Sequence, residues 1–166
     1  MKKAFTLIEM LISISILSIM MIFLYKSYAS LNSSNSLLKD EVNSIEKQEL
    51  KKKVLFLDFS LIIDNKTDVL NKGTKEDVVF IQSKNSIHNR INPYITYIVK
   101  DSILYRLESL EKFYTADLRF DNEFVYDNLG EVNSFRVYTS RDKKSSFLID
   151  IDFKNEEDIL IKSSTE

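Results

Sequence analysis

One carboxylate, Glu9, stands near the start of an apolar run that extends from Phe5 to Tyr25. Its chemistry in that setting is ion pairing. At the centre of a membrane-spanning helix an acidic group costs roughly 2.5 to 3.5 kcal/mol, so an ionised one needs a partner. Glu9 lies about one turn inside the run, where the cost is lower but not zero. Lys2, Lys3 and the small residue Ala4 precede the run. If the chain is cut between Ala4 and Phe5, the new amino terminus is a cation four residues before Glu9. Side chains on a helix lean toward its amino end, so Glu9 could reach that amine or the amine of a neighbouring chain. In a low dielectric such pairing offsets the desolvation of both charges.

The element that must position Glu9 is a helix. Phe5 to Tyr25 is long enough to span, since the hydrocarbon of a bilayer takes about 20 apolar residues at ~1.5 Å each. Thr6, Ser13, Ser15 and Ser18 interrupt the run. Their hydroxyls are expected to bond carbonyls one turn earlier and so to sit cheaply in lipid. Two plainer readings compete. A cleaved secretory signal needs a small-residue site after its apolar core, and only Tyr28-Ala29-Ser30 offers one. An uncut anchor would merely tolerate Glu9 near the interface.

Lys-Lys-Ala followed by Phe-Thr-Leu-Ile-Glu and an unbroken apolar helix resembles the class III signal of type IV pilins and pseudopilins. The resemblance covers about the first 25 residues. It implies a leader of residues 1–4, cleavage by prepilin peptidase after Ala4, and N-methylation of Phe5. It assigns Glu9, the fifth residue after the cut, to assembly, registering each incoming subunit against a neighbour's amine. Ala4 replaces the family's usual Gly before the cut. The Gly or Pro that many members carry later in the helix is missing before Gly73, so any weakening of the helix would have to come from Asn32-Ser33-Ser34-Asn35-Ser36.

Lys2 and Lys3 favour a cytoplasmic amino end, which puts the remainder outside the bacterial inner membrane. The expected organisation is a transmembrane helix at 5–25 and a periplasmic domain at 26–166, with a helical part at about 37–64. Cleavage would take the formal charge from −2 to −4, a balance that argues against general polyanion binding, so nucleic acid is not expected as a partner. About 140 residues beyond the membrane segment suffice for one domain with a core. The chain has no cysteine, so disulfides are excluded whatever the compartment.

Leu37 to Asp64 reads as a helix with Leu38, Val42, Ile45, Leu55, Phe59 and Ile62 in phase, widened by Leu50, Val54, Leu57 and Leu61. Leu55 to Ile63 should be its most buried portion. Asn65 to Lys75 reads as loop. The period then changes to two. Val78 to Ile81 is a buried strand, Tyr94 to Val99 and Ile103 to Leu107 form a hairpin about Lys100-Asp101-Ser102, and Phe135 to Thr139 pairs with Phe147 to Phe153. Asp158 to Lys162 adds a last strand. A long helix followed by antiparallel hairpins defines an α+β fold, the helix packed across the sheet, as in pilins.

The segments Tyr94–Val99, Ile103–Arg106 and Ser134–Tyr138 resemble the J-type minor pseudopilin of type II secretion, a subunit that joins other pseudopilins at the tip. Glu9 disfavours the K-type subunit, which usually lacks this carboxylate. A minor type IV pilin of a pilus or DNA-uptake machine, with a tip-binding role, is the alternative.

Catalytic chemistry finds little footing. His88 is the only histidine, in a polar stretch read as a solvated loop, and thiol or multi-histidine zinc chemistry lacks its ligands. No cofactor and no catalytic residue is assigned. Asp150 and Asp152, with Asp142 and Glu156 nearby in sequence, could hold a hard cation, but a solvated strand face is the simpler reading, and no metal site is assigned. Lys51-Lys52-Lys53 and Arg141-Asp142-Lys143-Lys144 are the basic clusters, read as solvated surface.

Overall fold

The computed structural model describes residues 6–63, 67–70, 75–112, 124–140 and 146–164. Ala4, Phe5, Gly73 and the basic run at 141–144 lie outside the described residues. The chain divides into two units, Met1–Lys47 and Gln48–Glu166. One helix, α1 (Leu7–Ser60), supplies nearly all of the first and the opening element of the second.

In the first unit α1 is exposed along its length, including Leu11, Ile14, Leu17, Ile22 and Leu24. It is long and apolar enough to cross a membrane. The helix does not weaken at Asn32–Ser36, which is helical throughout. With neither Gly nor Pro there, each residue's propensity penalty stays below roughly 0.7 kcal/mol, too little to open the backbone ladder. Leu38, Val42 and Ile45, expected on a buried stripe, are exposed.

In the second unit α1 lies against the sheet through its last turns. Leu55, Asp58 and Phe59 are its buried residues. Burying Leu55 and Phe59 contributes roughly 1.5–3 kcal/mol each. Leu50, Phe56, Leu61 and Ile63 are exposed, so the buried stripe is narrower than the sequence pattern suggests. The helix also stops short of Asp64, and its carboxyl end is drawn into the sheet. Ile63 N donates to Gln82 O at 2.9 Å, Lys84 N donates to Leu61 O at 2.9 Å, and Ile62 bridges Ser83. These bonds satisfy groups that another helical turn would have used.

Among the described residues seven strands follow: β1 (Asp68–Leu70), β2 (Val78–Gln82), β3 (Tyr94–Lys100), β4 (Ile103–Ser109), β5 (Phe124–Thr139), β6 (Ser146–Phe153) and β7 (Ile159–Ser164). They pair in chain order, antiparallel throughout. The α+β class and the hairpins at β3–β4 and β5–β6 match expectation. β1 falls inside the stretch expected to be loop. Its three residues are too few to show a period, and only pairing with β2 defines it. The last strand begins one residue later and runs two residues further than expected. The β3–β4 turn places Asp101 at φ 53° and Ser102 at φ 62°, the two left-handed residues that a tight hairpin of the right twist requires.

β5 is far longer than the Phe135–Thr139 segment visible from alternation. Its first half pairs with β4 and its second with β6. Register shifts on either side of Gly130 leave Leu129 and Asn133 unmatched, and such bulges bend a strand. The shifts break the period of two. Gly130 has φ +123°, and a Cβ there would stand 3.3 Å from Phe153 Cε1. The lead-in to β2 returns to the same strand: Phe135 N donates to Lys75 O and Asp77 N to Phe135 O, both at 2.9 Å. The sheet is thereby curled.

Buried side chains occupy both faces of β2 to β4. Leu55, Phe59, Val79, Ile95, Tyr97, Phe135, Phe147, Ile149 and Ile151 belong to the main core, and Val78, Phe80, Ile98 and Leu107 to a second cluster. Burial on both faces explains why Val78-Val79-Phe80-Ile81 reads as a continuous apolar run.

Candidate functional site

Glu9 is tied to the start of its own helix. Thr6, just before α1, donates to Glu9 Oε2 from its backbone N at 2.9 Å and from Oγ1 at 2.8 Å. Glu9 N in turn approaches Thr6 Oγ1 at 3.4 Å. This is a reciprocal capping box, which satisfies amide donors that the first turn leaves open. The Thr6-x-x-Glu9 spacing carries this signal, a second role for Glu9 beside the ion pairing expected from its charge. The cap engages Oε2. Among the described residues Oε1 accepts no hydrogen bond, leaving an acceptor for a further donor. Ser13, Ser15 and Ser18 donate to Glu9 O, Leu11 O and Ile14 O at 2.8, 2.9 and 2.8 Å, as their expected low cost in lipid requires.

The second unit holds a polar cluster that sequence reasoning missed. Register sets Tyr97 of β3, Arg106 of β4 and Asp127 of β5 in one cross-strand row. Asp58 reaches this row from α1. Arg106 Nε donates to Asp58 Oδ2 at 2.7 Å and Nη2 to Oδ1 at 3.3 Å, while Nη1 meets Glu108 Oε2 at 2.7 Å and Asp127 Oδ2 at 3.4 Å. Tyr97 donates its hydroxyl to Asp58 Oδ2 at 2.5 Å. Asp58, Arg106 and Glu108 are all 0% exposed.

The same carboxylates fasten the connection between β2 and β3. Ser86 Oγ and Ile87 N donate to Glu108, and Asn85 Nδ2 donates to Asp58 Oδ1 at 2.6 Å. Arg90 Nη1 caps Glu108 O at 2.8 Å. Asn89 and Asn92 take φ 57° and 50° within this segment. His88 is half-buried, with Nε2 at 3.1 Å from both oxygens of Asp127. It is therefore not the solvated loop histidine expected from its polar neighbours. Asp127, distant in sequence, supplies its partner.

Burial by itself would lower the Arg106 pKa, but the hydrogen bonds and charge of Asp58 more than offset it and the guanidinium is held protonated. Burial would raise Glu108, but Ser86 and Arg106 outweigh it and hold the carboxyl below its ordinary value. Burial, then the Asp58 charge, raises Tyr97 well above the ordinary tyrosine value. A raised folded-state pKa stabilises fully below the unfolded value and is lost as pH rises. Stability of the second unit should therefore fall above about pH 10, where unfolded tyrosine ionises. A spectrophotometric phenolate titration should show Tyr97 ionising only with unfolding, and Tyr97→Phe should abolish that late component.

Every oxygen of Asp58 and Glu108 is committed to a partner. Neither acid offers a free face to a substrate, so the cluster joins helix, sheet and loop.

The remaining residues singled out from sequence are dispersed. Lys51 pairs with Glu156 at 2.6 Å and lies over the Phe153 ring, Lys52 pairs with Glu49 at 3.4 Å, and Lys53 is exposed. Two of the three charges are thus matched within the domain. Asp150 and Asp152 share the outward face of β6, where Asp152 accepts from Asn133 at 2.8 Å. Among the described residues no group of three or more acidic or histidine side chains is placed to hold a metal.

An apolar helix opened by a Thr–Glu cap, followed along the chain by a helix on an antiparallel sheet, is an α+β fold of the pilin-like kind. Residues 1–25 match the family model of the prokaryotic N-terminal methylation motif. That match supports the type IV pilin and pseudopilin family, whose members are structural subunits and not enzymes. The signal implies processing by prepilin peptidase and assembly with other pilins, and with the apolar helix it fits membrane anchoring. No curated protein and no solved structure matches the chain.

Proposed function

We propose that this protein is a minor pseudopilin, a structural subunit that helps to start or build the pseudopilus of a type II secretion system. The observation that carries the reading is the methylation signal at residues 1–25 joined to a Glu9 whose Oε1 accepts no hydrogen bond among the described residues. In this reading prepilin peptidase cuts after Ala4 and methylates Phe5. Residues 5–25 anchor the chain in the bacterial inner membrane with the amino end cytoplasmic, and residues 26–166 stand in the periplasm. Glu9 Oε1 then accepts the Phe5 amine of a neighbouring subunit while Oε2 keeps the cap on its own helix.

Intact mass and N-terminal sequencing of membrane-expressed protein, with and without prepilin peptidase, test the proposal. The expected product begins at methylated Phe5 only when the peptidase is present. A chain beginning at Met1 under both conditions would leave an ordinary anchor. Loss of secretion without loss of surface pili on deletion would separate the pseudopilin from a minor type IV pilin.

A further inference from the structure

Beyond the methylation signal, α1 carries a line of apolar side chains that no other part of the chain covers among the described residues. Past Tyr25 the helix turns polar, and the apolar residues that remain fall almost entirely into that line. Tyr28, Leu31, Asn35, Leu38, Val42 and Ile45 follow one another at alternating steps of three and four residues. That is the a and d pattern of a heptad, with Leu31, Leu38 and Ile45 at d. Off the line, from Lys26 to Lys47, only Ala29 and Leu37 are apolar. The five apolar members are each more than half exposed, Tyr28 at 70% and Leu31 at 64%. The unbroken helix at 32–36 keeps Leu31 and Leu38 in phase, since an unwound turn would carry them to different sides.

The line stops where the second unit begins. The next two positions of the pattern are Glu49 and Lys52, which pair with each other at 3.4 Å, and the first unit ends at Lys47. A seven-residue repeat drifts about 20° per heptad around a lone straight helix, and stays on one seam only when two helices wind about each other. The line therefore matches a second helix. Asn35 matches the same occupant, because a single polar residue at a fixes register between paired helices.

The flanking charges choose between partners. In a parallel pair each g residue meets the e residue of the following heptad in the other helix. Glu41 stands at g and Glu46 at e, so a second copy would set Glu41 against Glu46 on both sides of the seam. Lys39, also at e, would meet Ser34 and offset neither contact. Like charges so placed repel. A different chain with lysine or arginine opposite Glu41 and Glu46 turns both contacts attractive.

We infer that residues 28–45 of α1 form one half of a two-helix, left-handed coiled coil with a different membrane-anchored chain. The partner helix runs parallel, repeats its apolar residues by heptads and sets a basic residue against Glu41 and Glu46. Its parallel direction rests on the anchoring proposed for residues 5–25. Outside the membrane the seam lies in water, where burying its side chains is favourable as it is not among lipid tails. Anchoring both chains in one bilayer raises their effective concentration, which a seam this short needs.

The test places a photo-crosslinking amino acid in the full chain, either at Leu31, Leu38 or Ile45 on the seam or at Ser33, Asp40 or Lys47 opposite it. In native membranes, adducts to one other chain should form about ten-fold more from the seam positions. Glu41→Lys combined with Glu46→Lys should lower them about ten-fold. Glu41→Lys alone makes both contacts of a second copy attractive. In purified full-length protein in detergent it should raise the self-adduct from Leu38 about ten-fold, and the double variant should return it to the parent's level. These residues are exposed and belong to the first unit, so the melting temperature of the second unit should stay at the parent's value. Equal adducts from both faces overturn the seam. A self-adduct as the main product in native membranes, or one indifferent to Glu41→Lys, overturns the choice of a different chain. N-terminal sequencing of the same membranes keeps this claim apart from the pilin reading. A chain that begins at methylated Phe5 and shows no preference between faces overturns the seam alone. A chain that begins at Met1 with adducts confined to the seam overturns the pilin reading alone.

Discussion

Glu9→Gln should give a chain that inserts, is processed and folds, yet fails to assemble. Glutamine serves the capping box as glutamate does, because its side-chain oxygen can still accept from Thr6. It cannot provide the negative charge that a neighbour's amine would meet. The cap seen at Oε2 and the pairing proposed for Oε1, which accepts no hydrogen bond among the described residues, are thereby separated. Glu9→Ala removes both and should in addition loosen the first turn by about 0.5–2 kcal/mol, the usual cost of a lost cap. Assembled subunit, measured by cross-linking in membranes, should fall at least about ten-fold in both variants, since pairing in low dielectric is worth more than 1.4 kcal/mol. If Glu9→Gln assembles like the parent while Glu9→Ala does not, the carboxylate is a helix cap and the proposed registration is wrong.

Arg106→Met should be the most damaging single change in the second unit. Removing the guanidinium leaves Asp58 and Glu108 buried without their cation. Breaking a buried ion pair from one side costs about 3–5 kcal/mol, much of it the desolvation of the charge left behind. That is a large part of the ~5–15 kcal/mol that stabilises a domain. A drop in melting temperature of roughly 10–20 °C follows from the size of the unit. The triple variant Asp58→Leu, Arg106→Met, Glu108→Leu should recover part of the loss, because it leaves no charge to desolvate. Protection of the amides at 84–92 should not recover with it, since Ser86, Ile87 and Asn85 would have lost their acceptors. A triple variant no more stable than Arg106→Met would show that the cluster is replaceable by neither packing nor neutrality.

How much could be read in advance depended on whether the deciding interactions were local. The membrane-length helix, the serine back-bonds within it and the β5–β6 alternation each follow from neighbours a few residues apart. The charge of Glu9 stands out from its apolar neighbours, and the Thr6-x-x-Glu9 spacing spells out its cap. The internal charge cluster had a fainter trace. Arg106 and Glu108 occupy the same strand parity as Leu104, and Asp58 stands between Leu55 and Leu61 on the helix. A charge in a core-facing position is a request for a partner. Its four members lie on three separate elements, and nothing in the linear chain says that they meet.

Taken alone, the sequence determined the amino-terminal signal, the α+β class and most of the strands, because apolar periodicity and a signal peptide are short-range properties. Tertiary structure decided where α1 stops, that β1 exists, how β5 bends about Gly130 to serve two partners, and that Asp58, Arg106, Glu108 and Asp127 form one network. It also left Asp77 Oδ1 and Arg136 Nε buried without a hydrogen-bond partner. These outcomes turn on pairing register and on the burial of charge, which are set by residues tens of positions apart. A buried polar group is stable only beside a partner, and only the closed sheet brings the partners together.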